Sequence, residues 1–430
     1  MIVRLLYNVI APVVLICLLP SFLWRMKKRG GYRHSTQQRL GLYSKEIKLS
    51  LSSQRRIWIH AVSVGEMYVA KTLIEEVRKN KKNISFVITT TTSTGYRIAN
   101  QEKQKNDVVL YFPLDLPFVV KRVANLINPI ELILIEGECW PNLIWEISRR
   151  NIPIALVNGR ISDRSYQRYM HVLWLTREVF QCVDRLYMQQ ARDANRVIRF
   201  GANSDQVFVS GNLKFDFPDI ASVKSLKELF GRTKSREQLF ILASSTWPGE
   251  EVVLARIVNK LKREYNSLQL IIAPRHVERI PEIRTELLEI NCHVSLRSEK
   301  SPADLNSIWL LDSTGELSDL YPSSDIVFIG KSLYASGGQN PIEAASYGCV
   351  LITGPNMENF KAEADSLDKY KARIVVHSEN TLDDELRKLL VDHQHRSNLG
   401  QASKEMFEAG RGGVQKTLEG LAEFKIGSFS

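Results

Sequence analysis

Past the first two dozen residues, short apolar runs alternate with segments whose apolar positions recur at helical spacing. The runs "IWIHAV", "ISFVITTTT", "VVLYFPL", "ELILIEGE", "IPIALVNGR", "RLYMQQ" and "VFVSGNLKF" follow one another in that rhythm. Such alternation predicts an α/β protein, a parallel sheet with helices on both faces. Between Phe215 and Lys234 the rhythm breaks, and a second series begins: "LFILASST", "LQLIIAPR", "SIWLLDST", "DIVFIGKS", "CVLITGP" and "RIVVHS". The pattern therefore predicts two Rossmann-like domains, 26–213 and 214–430, with the last helix packing back onto the first. In open α/β sheets ligands bind beyond the C-terminal ends of the strands. Two such domains facing one another across a cleft suit an enzyme that joins two molecules, one held by each.

The N-terminus follows a different pattern. "LLYNVIAPVVLICLLPSFLW" (Leu5 to Trp24) runs for 20 positions without a charge and ends in the basic "RMKKRGGYR". About 20 apolar residues cross a bilayer core as one helix. No small-x-small cleavage site follows, and the basic residues come after the run rather than before it, against a signal peptide. Residues 1–25 are accordingly expected to be an uncleaved membrane anchor, with the domains on the cytoplasmic side. Asn8, Pro12 and Pro20 interrupt the run, which keeps open a segment lying on the membrane surface.

Composition narrows the partners. At 430 residues with 44% hydrophobic and 24% charged positions, the chain is globular and too long for one ordinary core. Its five cysteines are scattered and form no C-x-x-C pair, so neither a disulfide framework nor a structural zinc site is indicated. His393 and His395 lie in a polar segment without nearby ligand types. The net charge of +11 is uneven: residues 1–210 hold 31 Lys+Arg against 16 Asp+Glu, and the remainder 27 against 31. A basic first half favours an anionic partner: nucleic acid, a phosphorylated substrate or a membrane surface. No RNP, KH or zinc-finger signature supports nucleic acid.

Candidate chemistry gathers at the strand ends. "HAVSVGE" carries the chain from a strand into a helix with Glu66 in its first turn. A carboxylate there complements the helix dipole, and it also stands where a substrate would bind. Glu136 and Glu138 form a second acidic strand end, but alternate residues of a strand face opposite ways, so joint chelation is not expected. In "GGQNPIEAASYG", Gly337 and Gly338 permit close backbone approach, Gln339, Asn340 and Pro341 lead into a helix, and Glu343 is placed to meet ribose hydroxyls. Arg275 after "LQLIIAP" and Lys214 after "VFVSGN" add cations fit for a phosphate. The chain has no Walker or G-x-G-x-x-G motif and no D-x-D between strands. A metal-free mechanism without cofactor is expected, the leaving phosphate being held by cations and N–H groups.

Taken in order, "HAVSVGE", "TTTTSTG", "YFPLDLP", "EGECWPNLI", "IALVNGRIS", "VSGNLKFD", "APRHVER", "STGEL", "GGQNPIEAA" and "LITGPNMENF" resemble the bacterial 3-deoxy-D-manno-octulosonic acid (Kdo) transferases of lipopolysaccharide synthesis. The resemblance implies the GT-B architecture, CMP-Kdo as donor, the phosphorylated, acylated lipid A precursor (lipid IVA) as acceptor, inversion at the anomeric carbon, and the inner (cytoplasmic) membrane as the one the anchor would hold. It further implies that Glu66 is the general base and that Glu138 is the family's second glutamate, although Cys139 stands where the family has Leu. Donor-binding roles fall to Lys214, Arg275, Gly337, Gly338, Gln339, Asn340 and Glu343. The basic segment Met26–Gly41, with Arg29, Arg33 and Arg39, is expected to meet acceptor phosphates or anionic lipid, or else only to orient the anchor. Two rival readings stay open: another lipopolysaccharide sugar transferase (heptosyl or N-acetylglucosaminyl), and a non-catalytic, membrane-tethered binder of sugar nucleotides.

Overall fold

The strand-like runs form two seven-stranded sheets, each wholly parallel. This computed structural model describes residues 2–13, 33–81, 83–137, 139–216, 224–235, 237–299 and 302–423. By internal contacts the chain divides into a first unit, Met1–Pro218 with Arg411–Ser430, and a second, Asp219–Gly410.

In the first unit β1 (Ile57–His60), β2 (Phe86–Thr90), β3 (Val108–Tyr111), β4 (Glu131–Ile135), β5 (Ile154–Gly159), β6 (Arg185–Met188) and β7 (Val207–Val209) lie in the order β3-β2-β1-β4-β5-β6-β7. The order reverses between β1 and β4, and a crevice opens at such a switch point beyond the strand ends. Successive strand residues serve opposite faces. Thus Trp58, Leu132 and Leu134 join one buried cluster with the helices Pro117–Ile127 and Pro141–Arg149, while Ile57, Ile59, Ile133 and Ile135 join another with Val64–Asn80. The last helix, Gly413–Glu423, adds Val414 and Leu421 to that second cluster.

The second unit holds β8 (Leu239–Thr246), β9 (Leu268–Pro274), β10 (Val294–Leu296), β11 (Ile308–Leu310), β12 (Ile326–Ile329), β13 (Val350–Thr353) and β14 (Arg373–Val375) in the order β10-β11-β9-β8-β12-β13-β14. Here the reversal falls between β8 and β12.

Three expectations need correction. The expected anchor is described only over residues 2–13, which are helical. Residues 14–25 lie outside the described residues, and among the described residues no helix is long and apolar enough to cross a membrane. Val3 and Tyr7 of this helix pack on the first core, whereas Ile2, Leu5, Leu6, Val9, Ile10 and Val13 are exposed. The second correction concerns the basic segment. Arg29 lies outside the described residues and Arg33 opens the helix Arg33–Arg39. Arg39, grouped with them as an acceptor or membrane contact, is buried, donates to the Thr91 carbonyl at 2.5 Å and lies over the Tyr111 ring. Third, Lys214, placed by sequence at the head of the second domain, belongs to the first unit, because the chain leaving β7 turns back over the first sheet.

Candidate functional site

At the first switch point, β1 runs through Ala61 and Val62 into the helix Val64–Asn80. Ser63 caps that helix, its Oγ accepting the Glu66 N–H at 3.3 Å, and the Glu66 carboxylate reaches back so that Oε2 accepts the Val62 N–H at 2.7 Å. This is the reciprocal arrangement of a capping box shifted by one residue. The Val62 carbonyl accepts from the hydroxyls of Thr90 and Thr92 at 3.2 and 3.1 Å. Gly95 makes room for both threonines, since a Cβ there would stand 2.6 Å from Thr90 Oγ1. The "TTTTSTG" motif thus braces the turn that carries Glu66, and Glu66 is only 7% exposed.

His60, just before this turn, is no competing base. Its ring is fully buried and stacked on Phe112 with centroids 3.8 Å apart, and burial pushes its pKa down to about 3.

Glu136 follows β4, the strand beside β1, with φ at +64°. Lys214 arrives from the far edge of the sheet. Its loop is held by Asn158, whose Oδ1 accepts the Leu213 N–H at 3.0 Å, and by Asn212, whose Oδ1 accepts the Lys214 N–H at 3.1 Å. Lys214 Nζ then pairs with Glu136 Oε1 at 2.6 Å and lies 3.9 Å from where a Cβ on Gly65 would be. The first unit therefore brings together Glu66, Glu136 and Lys214. Glu138 lies outside the described residues. Its neighbouring helix, Pro141–Arg149, is anchored by Asp115, which accepts the N–H groups of Asn142 and Leu143 at 3.0 and 2.9 Å and the Tyr7 hydroxyl at 2.9 Å. Burial raises the Asp115 pKa, against these donors.

The second switch point is built around a buried acid that sequence reasoning missed. Glu250, 1% exposed, accepts the N–H groups of Trp247 and Lys331 on one oxygen at 2.9 and 2.8 Å, and those of Ser332 and Leu333 on the other at 3.1 and 3.2 Å. It ties the turn after β8 to the turn after β12. Burial raises its pKa, and the four donors oppose that shift. In sequence Glu250 looks like an ordinary first-turn glutamate, so no local signal marks it.

Gly337 and Gly338 adopt φ of +120° and +67°. A Cβ on Gly337 would stand 2.5 Å from Asn359 Nδ2, so only glycine fits. The following helix is short, Ile342–Ser346, and Pro341 is its N-cap. Asn340 Oδ1 accepts the Ile342 N–H at 3.1 Å, which spends one of the N–H groups expected to face a phosphate. Glu343 is largely buried near Ser318, Asp319 and Tyr321, and desolvation raises its pKa. Gln339 is half-buried on the glycine loop, and Arg275 is exposed after β9 with its backbone N–H on the Thr246 carbonyl at 3.1 Å.

Comparison with known proteins agrees with this layout. The family "3-Deoxy-D-manno-octulosonic-acid transferase (kdotransferase)" matches residues 34–217. The 3-deoxy-D-manno-octulosonic acid transferase of Haemophilus influenzae is 30% identical, over 91% of this chain and 92% of its own. The chain belongs to the Kdo transferase family. A Kdo transferase of Rickettsia typhi is also 30% identical, over 80% of this chain and 74% of its own. Among solved structures, the UDP-GlcNAc 2-epimerase of Neisseria meningitidis bound to UDP-GlcNAc superposes with a TM-score of 0.59 at 12% identity, covering 86% of this chain and 100% of that one. That likeness carries the fold: two Rossmann-like units of the GT-B class. As a Kdo transferase family member the protein is a glycosyltransferase of lipopolysaccharide synthesis.

Proposed function

We propose that this Kdo transferase moves Kdo from CMP-Kdo to a hydroxyl of the lipid A precursor, with inversion and with Glu66 as general base. The observation that carries the reading is the braced Glu66 carboxylate at the β1/β4 switch point, within one residue of the Lys214–Glu136 pair. In a single displacement the acceptor oxygen bonds to the anomeric carbon while its proton passes to the Glu66 carboxylate. The bond from that carbon to the phosphate oxygen breaks, and its electron pair leaves with CMP. Glu66 is suited to this because the Val62 N–H holds Oε2 in place and orients the carboxylate. Charge growing on the departing phosphate is met by Arg275 and by the backbone N–H groups of the glycine loop.

No metal is required in this scheme, and activity is expected to persist in EDTA. Loss on chelation with recovery on adding a divalent ion would overturn that part. Apolar side chains exposed along residues 2–13 support a location on the cytoplasmic face of the inner membrane, with this helix lying in the surface.

The test of the whole reading is transfer with purified protein and lipid A precursor, offering CMP-Kdo, a UDP-hexosamine and an ADP-heptose in parallel. The expected product is heavier by one or more Kdo residues, from CMP-Kdo alone. Transfer from either other donor identifies a different sugar transferase, and binding of CMP-Kdo without turnover identifies a non-catalytic binder.

A further inference from the structure

Lys331 is a cation that the reaction as derived leaves unused. It follows β12 with φ at +59°, a left-handed conformation that costs any residue with a Cβ and costs glycine nothing. The strain is locked in from both sides: its N–H donates to Glu250 at 2.8 Å, and its carbonyl accepts the Gly338 N–H at 2.9 Å. A lysine kept in a glycine conformation calls for a function of its side chain.

The side chain is correspondingly placed. Its Nζ lies 4.5 Å from the centroid of the Trp247 ring and 3.3 Å from where a Cβ on Gly337 would be. It makes no ion pair or hydrogen bond among the described residues, and the nearby Glu358 carboxylate is engaged by the Gly337 N–H at 2.7 Å. An indole face steers an ammonium but satisfies none of its three N–H donors, so those stay free for an oxyanion. Trp247 stands at the end of β8, between β9 and β12. The His276 ring, next in sequence to Arg275, also meets it edge-on at 5.8 Å. Arg275 and Lys331 thus follow the two strands that border β8, two spacings or about 10 Å apart.

We infer that Lys331, steered by Trp247, is an anion-binding residue of the donor subsite, distinct from Arg275. The inference rests on CMP-Kdo being the donor. That molecule carries two separated anionic groups, a phosphodiester and a sugar carboxylate, and two separated cations match them. Lys331 takes one of these oxyanions, and Arg275 the other.

The test is calorimetric binding of CMP-Kdo, CMP and cytidine to the full-length, detergent-solubilised protein, wild type against Lys331→Met and Lys331→Gly. Both variants are expected to bind CMP-Kdo about tenfold or more weakly, as loss of a charged hydrogen bond gives, with cytidine binding unchanged. Lys331→Gly relieves the backbone strain, so its Tm should equal or exceed that of the wild type, which separates lost binding from lost folding. Equal weakening of CMP assigns Lys331 to the phosphate, and unaltered CMP assigns it to the carboxylate. CMP-Kdo affinity within twofold of wild type in both variants overturns the inference. Failure of the wild type itself to bind CMP-Kdo overturns the donor reading, and the inference falls with it.

Discussion

The two switch points have the same topology and opposite chemistry. Beyond β1 and β4 stand carboxylates, Glu66 and Glu136, and the cation among them is already paired at 2.6 Å. Beyond β9, β8 and β12 stand Arg275 and Lys331 with no ion pair among the described residues, and the acid at that place, Glu250, is consumed by four backbone N–H groups. On the proposed reading, one strand-end crevice accepts a proton and the other holds negative charge. Parallel sheets supply the crevice, and a handful of turn residues decide what it does.

The sharpest way to break this contrast is Glu66→Gln. The amide still fits at the helix start but takes no proton, so turnover should fall by roughly 10²–10⁴-fold, with CMP affinity near wild type by calorimetry. A loss within about tenfold would return Glu66 to a capping role. Next in size, Lys214→Met leaves Glu136 sheltered and unpaired, and both Tm and kcat/KM should drop. Removing one partner of a mostly buried pair costs about 3–5 kcal/mol and replacing both costs far less, so adding Glu136→Gln should restore Tm. Activity that returns along with Tm would show that the pair serves folding alone.

A smaller effect is expected from Gly337→Ala. A Cβ at φ +120° strains the backbone and must displace the Asn359 side-chain amide 2.5 Å away, which at about 1–3 kcal/mol of strain should raise the KM for the donor and spare the KM for the acceptor. The smallest effect probes the opposite end of β4. Glu131 is 1% exposed, and neither of its carboxyl oxygens has a hydrogen-bond partner among the described residues. Burial, with Asp184 nearby, pushes its pKa up to about 8. A carboxyl whose folded pKa lies above its unfolded value of 4.5 binds more protons folded than unfolded across that window. Stability should therefore fall as pH rises from about 4.5 to 8. Thermal melts of Glu131→Gln should match wild type near pH 5 and exceed it near pH 8, with activity unaltered at either pH. This separates an acid that is merely buried from one placed to react.

How much of this was legible in the chain varies by feature. The two sheets follow from apolar runs of strand length, and Glu66 from a turn whose residues are contiguous: Ser63, Gly65 and Glu66 announce their own geometry. Lys214 did not, because its partner Glu136 lies 78 residues upstream and the meeting depends on Asn158 drawing the loop back across the sheet. Arg39 reads as a contact for acceptor phosphate or anionic lipid because it lies in a basic run, whereas its burial depends on Thr91 and Tyr111, 52 and 72 residues further on. Lys331 stood in plain view after a strand, but its significance lies in a positive φ and an indole 84 residues before it. Patterns of local period do not encode either.

The clasp at Asp216 bears on how the molecule comes into being. Its two carboxylate oxygens accept the N–H groups of Gly412 and Val414, each at 2.6 Å, so the points where the chain leaves and re-enters the first unit are held side by side. Residues 219–410 are in effect an insert within another domain. On the ribosome the strands of the first unit emerge early, yet the helix Gly413–Glu423, which adds Val414 and Leu421 to their core, is made only after the insert. The clasp therefore closes only after the whole of the insert has been synthesised.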